Sequence, residues 1–346
     1  MKQSQLFAPT LRETPNDAEV ISHQLMLRAG YIRQISSGVY SYLPMAFRVI
    51  QKIEQIVREE LNAIGGVEML LPTLVPSDLW KESGRYDSYG PEMMKMADRN
   101  DRDFILGPTH EETFTKLIRD EVRSYKQLPL HLYQIQTKYR DEKRPRFGLL
   151  RSREFIMKDS YTFHDSNDSL DDMYNDIWKA YDNIFRRIGL NYRSIIADAG
   201  AMGGRESIEF IAISTIGEDT IAYSDESDYA ANIEMASSKF KERTNTEVQL
   251  QKEIVDTPAT TTIEELSSFL DVKSSNILKS VLYVADGDKP VLALVRGDHE
   301  VNEIKVRMAV EAEVIETATE NHIVELFGNI PAGYVVPVNL PEEVTI

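Results

Sequence analysis

The sequence predicts an α+β fold: a mixed, mainly antiparallel sheet flanked by helices, followed by a smaller α/β unit. Three observations point to it. Helical and strand-like stretches do not alternate regularly, which argues against a doubly wound sheet. Residues 131–142 and 151–161 read as two long strands joined by a basic loop. Ser, Thr, Asp, Glu and Lys dominate residues 225–260, a composition shift that marks a boundary.

Each element has its own local reason. Residues 15–29 read as a helix, with Thr14 as cap, Pro15 in the first turn and Gly30 past the end. Residues 46–63 form the clearest amphipathic helix, with Val49, Ile50, Ile53, Ile56, Val57 and Leu61 on one stripe. Gly65-Gly66 stops it, and residues 67–71 read as a strand ending at Pro72. Ser77 is expected to cap a short helix. Residues 104–106 read as a strand running into Gly107-Pro108-Thr109-His110-Glu111-Glu112 and a helix to about residue 122. Residues 169–188 make a helix stopped by Gly189, followed by strands at 192–197, 207–214 and 220–224. Beyond the boundary, residues 262–270, 302–311 and 319–327 read as helices, and 277–284 and 290–295 as strands.

Composition narrows the function classes. The chain has 346 residues, 42% of them hydrophobic, enough for two or more domains with a sizeable core. It has no run of 18 apolar residues and no apolar stretch near the N-terminus, so neither a transmembrane helix nor a signal peptide is expected. Cysteine is absent, which removes disulfides and thiolate zinc sites, and a cytoplasmic address is the expectation. The six histidines are scattered without metal-ligand spacing, so no protein-built metal site is expected. Net charge is −17, which argues against non-specific nucleic-acid binding. Residues 138–153 nonetheless hold seven basic side chains against Asp141 and Glu142, a local patch suited to steering phosphates.

The hairpin sharpens that chemistry. Strand side chains alternate between faces. Arg140 and Glu142 therefore share a face on the first strand, and Arg151, Arg153, Phe155, Met157 and Asp159 share one on the second. Guanidinium groups grip phosphate oxygens, a carboxylate accepts from an exocyclic amine, and a phenyl ring offers a stacking surface. Together they suit a nucleoside triphosphate, although a charged hairpin face can also simply be a solvated one.

The spacing decides between these readings. Tyr139-Arg140-x-Glu142, a loop, then Arg151-x-x-x-Phe155-x-x-x-Asp159 resembles motif 2 of the class II aminoacyl-tRNA synthetases. The long helix, glycine break and strand closing on Pro72 resemble motif 1, the family's dimer element, which implies a homodimer. The segments Leu71-Pro72-Thr73, Gly107–Glu112, Gln134–Thr137 and Arg151–Phe155 are similar to the bacterial prolyl-tRNA synthetases within that class. The resemblance implies a catalytic domain over residues 1–224 and an editing insertion, incomplete, over 225–346. It implies activation of L-proline by ATP with Mg2+, and transfer to the proline tRNA. No membrane partner is implied.

Residue roles follow from the resemblance. Arg140 would contact the α-phosphate and Arg151 the terminal phosphate, the two catalytic residues. Glu142 would take the adenine amine and Phe155 would stack on the base. Thr109 and Glu111 look like the proline-binding loop, with Arg140 and Asp159 lining the same pocket. Thr109 can also cap the helix beginning at His110, with Glu111 in a favourable first turn, and the two readings are compatible. In the insertion, Lys279, Gly333 and Pro337 are similar to editing residues that hydrolyse mischarged alanyl-tRNA, with Val336 standing where a second glycine is expected. Lys279 lies in an apolar strand, where an edge lysine that blocks pairing is the plain alternative. A second site is needed because each missing methylene gives only about 1–3 kcal/mol of discrimination. Motif 3, the anticodon-binding domain and a later editing histidine have no counterpart here. The chain therefore reads as truncated and is expected to be defective in full aminoacylation. Two other functions fit less of it: a non-catalytic paralogue that binds an amino acid or nucleotide, and a free-standing deacylase.

Overall fold

The computed structural model describes residues 2–197, 207–217, 219–237, 251, 253–258, 260–312, 314–328, 330, 335–338, 340–342 and 344–346. These residues form two units. One comprises residues up to 194 together with 209–217, and the other comprises residues from 219 onward with 195–197 and 207–208.

The first unit opens with α1 (Ile21–Arg28), the hairpin β1 (Ile32–Ser36) and β2 (Val39–Tyr42), and α2 (Pro44–Ala63). β3 (Val67–Glu68), β4 (Leu74–Pro76), α3 (Ser77–Glu82), α4 (Arg85–Ser88), β5 (Lys95–Ala97), β6 (Asp103–Leu106) and α5 (Glu111–Glu121) follow. Then come β7 (Leu130–Tyr139), β8 (Glu154–Phe163) and α6 (Asn167–Ile188); β9 (Tyr192–Ala197) and β10 (Ser207–Ala212) each contribute residues to both units.

The sheet that matters most has the order β3-β7-β8. β3 runs parallel to β7, and β7 pairs antiparallel with β8 over ten residues, from Leu130↔Phe163 to Tyr139↔Glu154. This is the mixed, mainly antiparallel arrangement expected, and a second sheet, β4-β6-β5, is antiparallel throughout. Alternation divides the β7–β8 ladder into two chemistries. On one face Tyr133 packs with Val57 and Leu61 of α2 and Ala180 and Ile184 of α6, forming the core, with Ile135 against it. The other face carries Gln134, Gln136 and Lys138 beside Asp159, Met157 and Phe155 respectively.

α2 forms because Pro44 sits at its first turn, where the missing N–H costs nothing, and Gly65 ends it with φ +81°. α6 is capped by the Ser166 hydroxyl and stopped by Gly189 at φ +85°. Other expectations are corrected. Residues 15–20 are not helical: the Ala18 N–H closes a turn on the Pro15 carbonyl, Val20 is extended, and α1 starts at Ile21. The strand expected over 67–71 is only two residues, because the Leu71 N–H is taken by the Gln134 side chain at 3.0 Å. Ser77 is the first residue of α3 and makes no capping bond. Thr109 does not cap α5 either: His110 is the flanking residue, and the Thr109 hydroxyl donates to the Glu111 carboxylate at 2.6 Å.

The hairpin strands are also shorter at the loop end than the pattern predicts. The Arg140 N–H still donates to the Arg153 carbonyl at 2.9 Å. The Asp141 N–H turns to the Glu92 carbonyl, and the Arg153 N–H goes to the Gly38 carbonyl, each at 2.8 Å. Of the donors that would have extended the ladder, the Arg153 N–H is captured by Gly38 and the Glu142 N–H folds back on the Arg140 carbonyl, so Arg140, Glu142, Arg151 and Arg153 lie beyond the strands rather than on their faces. The loop reverses through Phe147 (φ +58°) and Gly148 (φ +66°). A Cβ on Gly148 would lie 2.8 Å from the His23 ring, so position and conformation both require glycine.

The second unit contains β11 (Ile221–Tyr223), β12 (Ala230–Asn232), α7 (Ile263–Leu270), β13 (Leu278–Ala285), β14 (Lys289–Arg296), α8 (Glu303–Ala309), β15 (Ile315–Thr317) and α9 (Glu320–Phe327). β13 is central in an antiparallel sheet of order β14-β13-β15. α7 begins with a capping box in which the Thr262 hydroxyl and the Glu265 carboxylate each accept from the other's backbone N–H. Leu282, Leu292 and Ile323 centre one core cluster, and Tyr283, Ala285 and Val291 another on the opposite sheet face. No described helix is long and apolar enough to cross a membrane.

Leu61 is fully buried where α2 meets β7. Leu61→Ala is expected to lower stability by about 2–5 kcal/mol, because truncation loses transfer energy and leaves a cavity. Urea denaturation followed by far-UV circular dichroism checks this, and an unchanged midpoint would contradict the core assignment.

Candidate active site

The loop end of the β7–β8 hairpin gathers the four residues expected to bind a nucleotide. Arg140, Glu142, Arg151 and Phe155 all line one cavity of about 680 Å³, with Ile135, Leu149 and Lys158 in its wall. Each arrives differently. Phe155 stands on β8 opposite Lys138. Arg140 leaves the end of β7, and its guanidinium lies 5.4 Å from the centre of the Phe155 ring, within cation–π range. Its buried Nε has no hydrogen-bond partner among the described residues. Glu142 sits in the tight turn closed by its N–H on the Arg140 carbonyl. Arg151 reaches across the loop, placing Nε 2.8 Å from the Glu142 carboxylate. That bond holds Glu142 below the usual carboxylate range, with burial opposing it.

The proposed amino-acid residues form a connected polar network on the site face of the sheet. The Thr109 hydroxyl donates to Glu111, and the Tyr161 hydroxyl lies 3.4 Å from Thr109. The Tyr161 hydroxyl donates to Asp159 at 2.8 Å and accepts the His110 N–H at 3.1 Å. Asp159 also receives Gln134 Nε2 at 3.0 Å, and its other oxygen lies 2.8 Å from the Lys138 ammonium. Asp159 Oδ2 thus accepts two hydrogen bonds, while Oδ1 is buried against the Lys138 ammonium by charge alone, without hydrogen-bond geometry. Glu111 lies 3.5 Å from Arg85, which also pairs with the buried Glu112 at 3.0 Å. Burial, reinforced by the negative charge of Glu111, pushes the Tyr161 hydroxyl far above its ordinary value. Burial and then the Lys138 charge pull His110 down, and its Nε2 meets the Pro72 carbonyl at 3.0 Å. Burial also pulls Lys138 down, opposed by Asp159 and Glu111.

Lys138, Gln134, Tyr161, His110, Arg85 and Glu112 are the parts of this network that motif reading missed. Three had a signal. Gln134 and Lys138 fall on one period-two face of β7, and Tyr161 follows Asp159 by two on β8, so all three share the Asp159 face. Arg85 and Glu112 have no local signal, because they stand 27 residues apart in the chain.

In the second unit Lys279 stands on β13 opposite Val295, with Nζ 2.6 Å from the Glu300 carboxylate. It is not on an edge strand, although β15 pairs only with residues 283–285. Lys279, Ser280, Gly297, Glu300 and Val335 line a cavity of about 810 Å³. The Ser280 hydroxyl donates to the Val335 carbonyl, tethering the segment that leads to Pro337. Pro337 is half-buried and Val336 exposed; neither lines that cavity. Gly333 lies outside the described residues. Among the described residues no three His, Cys, Asp or Glu side chains gather to hold a metal ion.

Comparison with known proteins places this geometry. Residues 94–277 match the family model of the tRNA synthetase class II core domain (G, H, P, S and T), and residues 257–346 match that of the aminoacyl-tRNA editing domain. The whole chain is similar to the proline–tRNA ligase of Lysinibacillus sphaericus (strain C3-41), with 59% identity over 346 residues, 100% of this chain and 61% of the relative. It is 58% identical to the proline–tRNA ligase of Bacillus subtilis (strain 168), again over 100% of this chain and 61% of the relative. The chain thus spans about 60% of the length of the curated relatives it matches. Among solved structures, prolyl-tRNA synthetase from Cryptosporidium parvum complexed with L-proline and AMP aligns with TM-score 0.50 and 16% identity, over 58% of this chain and 41% of that one. The same enzyme complexed with halofuginone and AMPPNP aligns with TM-score 0.50 and 19% identity, over 54% and 40%. At that identity the likeness speaks to the fold alone.

The turn that presents Thr109 and Glu111 is tightly packed. A Cβ on Gly107 would lie 2.9 Å from His110 Cε1. Gly107→Ala is expected to cost about 1–3 kcal/mol, because the buried His110 ring must move. Thermal denaturation measures it, and an unshifted midpoint would show that the ring has room.

Proposed function

The chain belongs to the class II tRNA synthetase core family, and from that premise we infer that it carries the proline-activating site of a proline–tRNA ligase. The observation that carries this reading is the convergence of Arg140, Glu142, Arg151 and Phe155 on one cavity. Two guanidinium groups, a carboxylate and an aromatic ring match the phosphates, exocyclic amine and base of ATP. The Thr109–Glu111 pair, seated by Tyr161, supplies an acceptor and a negative charge for the secondary ammonium of proline.

In the first step a proline carboxylate oxygen attacks the α-phosphorus of ATP. The bond to the bridging oxygen breaks, and pyrophosphate leaves with its electron pair. Arg140 balances charge on the α-phosphate, Arg151 holds the terminal phosphate, Glu142 accepts from the adenine amine and Phe155 stacks on the ring. In the second step a hydroxyl of the 3′-terminal ribose of the proline tRNA attacks the adenylate carbonyl, and AMP leaves. Catalysis here is positioning and charge neutralisation more than proton transfer. The described residues offer no cage for a metal. Magnesium fits only as a companion of the triphosphate that keeps much of its water, and no step is assigned to it.

Residues 1–224 form the catalytic domain in this reading and 225–346 the editing insertion. Lys279, with Gly333 and Pro337, acts on mischarged alanyl-tRNA, since the proline pocket cannot exclude the smaller alanine. The site of action is the cytoplasm, where proline, ATP and tRNA occur together; fractionation placing the protein elsewhere would contradict this.

Arg140→Ala, in a complete enzyme, is expected to reduce proline-dependent pyrophosphate exchange by about tenfold or more, as loss of a charge-stabilising donor does. Normal exchange would sink the assignment. A homodimer is also expected. Phe47 and Val49 on α2, and Val67, Leu70 and Leu74 after it, are 43–73% exposed, an apolar surface that a second copy would cover. Sedimentation equilibrium checks this, and a monomer at micromolar concentration would contradict it.

A further inference from the structure

Lys138 is fully buried, and its ammonium lies 2.8 Å from an Asp159 oxygen that is almost equally buried. A buried ion pair of this kind rarely adds stability over a well-packed apolar pair, so its retention needs another reason. The arrangement around it supplies one. The Leu71 N–H fixes the Gln134 amide by donating to Oε1, which leaves Gln134 Nε2 to donate to Asp159 Oδ2. The Tyr161 hydroxyl donates to the same oxygen, so its lone pairs face the His110 N–H. The Thr109 hydroxyl has its single proton on Glu111. Thr109 and Tyr161 therefore share no proton across their 3.4 Å contact, and lone pairs of Thr109 stay free to accept.

We propose that Lys138 is a positioning residue for the amino-acid pocket: its ammonium keeps Asp159 an acceptor, which aims Tyr161 and through it seats the Thr109–Glu111 turn. This rests on the reading of Thr109 and Glu111 as ammonium-binding residues. Asp159 then acts through Tyr161 rather than by touching the ligand, since Oδ2 accepts from Gln134 and Tyr161 and Oδ1 is buried against Lys138. The specificity is for a cationic nitrogen: a pocket whose hydroxyls donate inward would repel it, and one whose hydroxyls accept would hold it. Four side chains from three elements face Asp159 or lie within its electrostatic reach. They are Lys138 on β7, Tyr161 on β8, His110 before α5 and Glu111 in its first turn.

The test is calorimetric titration of the 346-residue chain with L-proline and, separately, with AMPPNP. In Lys138→Met the Asp159 carboxylate loses the cation that holds it, Tyr161 loses its fixed acceptor, and proline affinity is expected to fall about tenfold. AMPPNP binding should be unchanged, because Lys138 does not line the nucleotide cavity. Lys138→Gln, which keeps a donor beside Asp159 but no charge, is the milder variant should the methionine protein fail to fold, and it should show a smaller loss confined to proline. A folded variant that binds proline with the wild-type affinity overturns the proposal and leaves the amino-acid reading intact. Equal loss of proline and AMPPNP binding also overturns it, since that is a merely structural effect. Wild-type chain that binds AMPPNP but not proline overturns the amino-acid reading and this proposal with it.

Discussion

The ten-residue antiparallel ladder between β7 and β8 is the constraint on which the first unit depends. A strand pair must place successive side chains on opposite faces, so one ladder can serve two environments at once. Here one face gives Tyr133 to the core between α2 and α6, while the other gives Gln134, Lys138, Asp159 and Tyr161 to the site. A slip of β7 by one residue would send Gln134 and Lys138 into the apolar layer, away from Asp159, and Tyr133 into the polar one. The fold and the chemistry are therefore specified by the same pairing.

The ladder's end is as important as its middle. Because Gly38 captures the Arg153 donor and the Glu142 donor folds back on Arg140, the strands stop and the loop residues curl around a cavity rather than lying flat. Arg140 and Phe155 face each other across that bend, and Arg151 pairs with Glu142. A flat hairpin with the same residues would offer a charged face to water. The bend makes it concave, which a ligand of nucleotide size requires.

The legibility of this arrangement varied with the range of the interaction. Period two alone placed Phe155 and Asp159 on one face, and the structure agrees. Spacing also picked out Arg140, Glu142 and Arg151 as companions of Phe155, although the reason given, a shared strand face, fails for them because they lie beyond the strand ends. Helix limits were readable where a glycine marked them, as at Gly65 and Gly189. They were misread at residues 15–20, where Pro15 starts a turn, and at Thr109, whose hydroxyl turns to Glu111 instead of the helix end. In both cases a local rule gave way to a nearby side-chain or packing interaction.

What the sequence determined by itself was the alternation of polar and apolar residues in β7 and β8, the glycine stops of the better-marked helices and the residue types gathered at the hairpin end. These rest on neighbours within a few positions, whose geometry local backbone conformation dictates. Only the tertiary structure decided that Lys138 is buried against Asp159, that Gln134 is locked by Leu71, and that Arg85 meets Glu111 and Glu112. Those contacts join residues 21 to 63 positions apart, or 26 and 27 for Arg85, and they depend on how packed elements exclude water around them. No local pattern encodes that exclusion, so it becomes visible only once the chain has closed on itself.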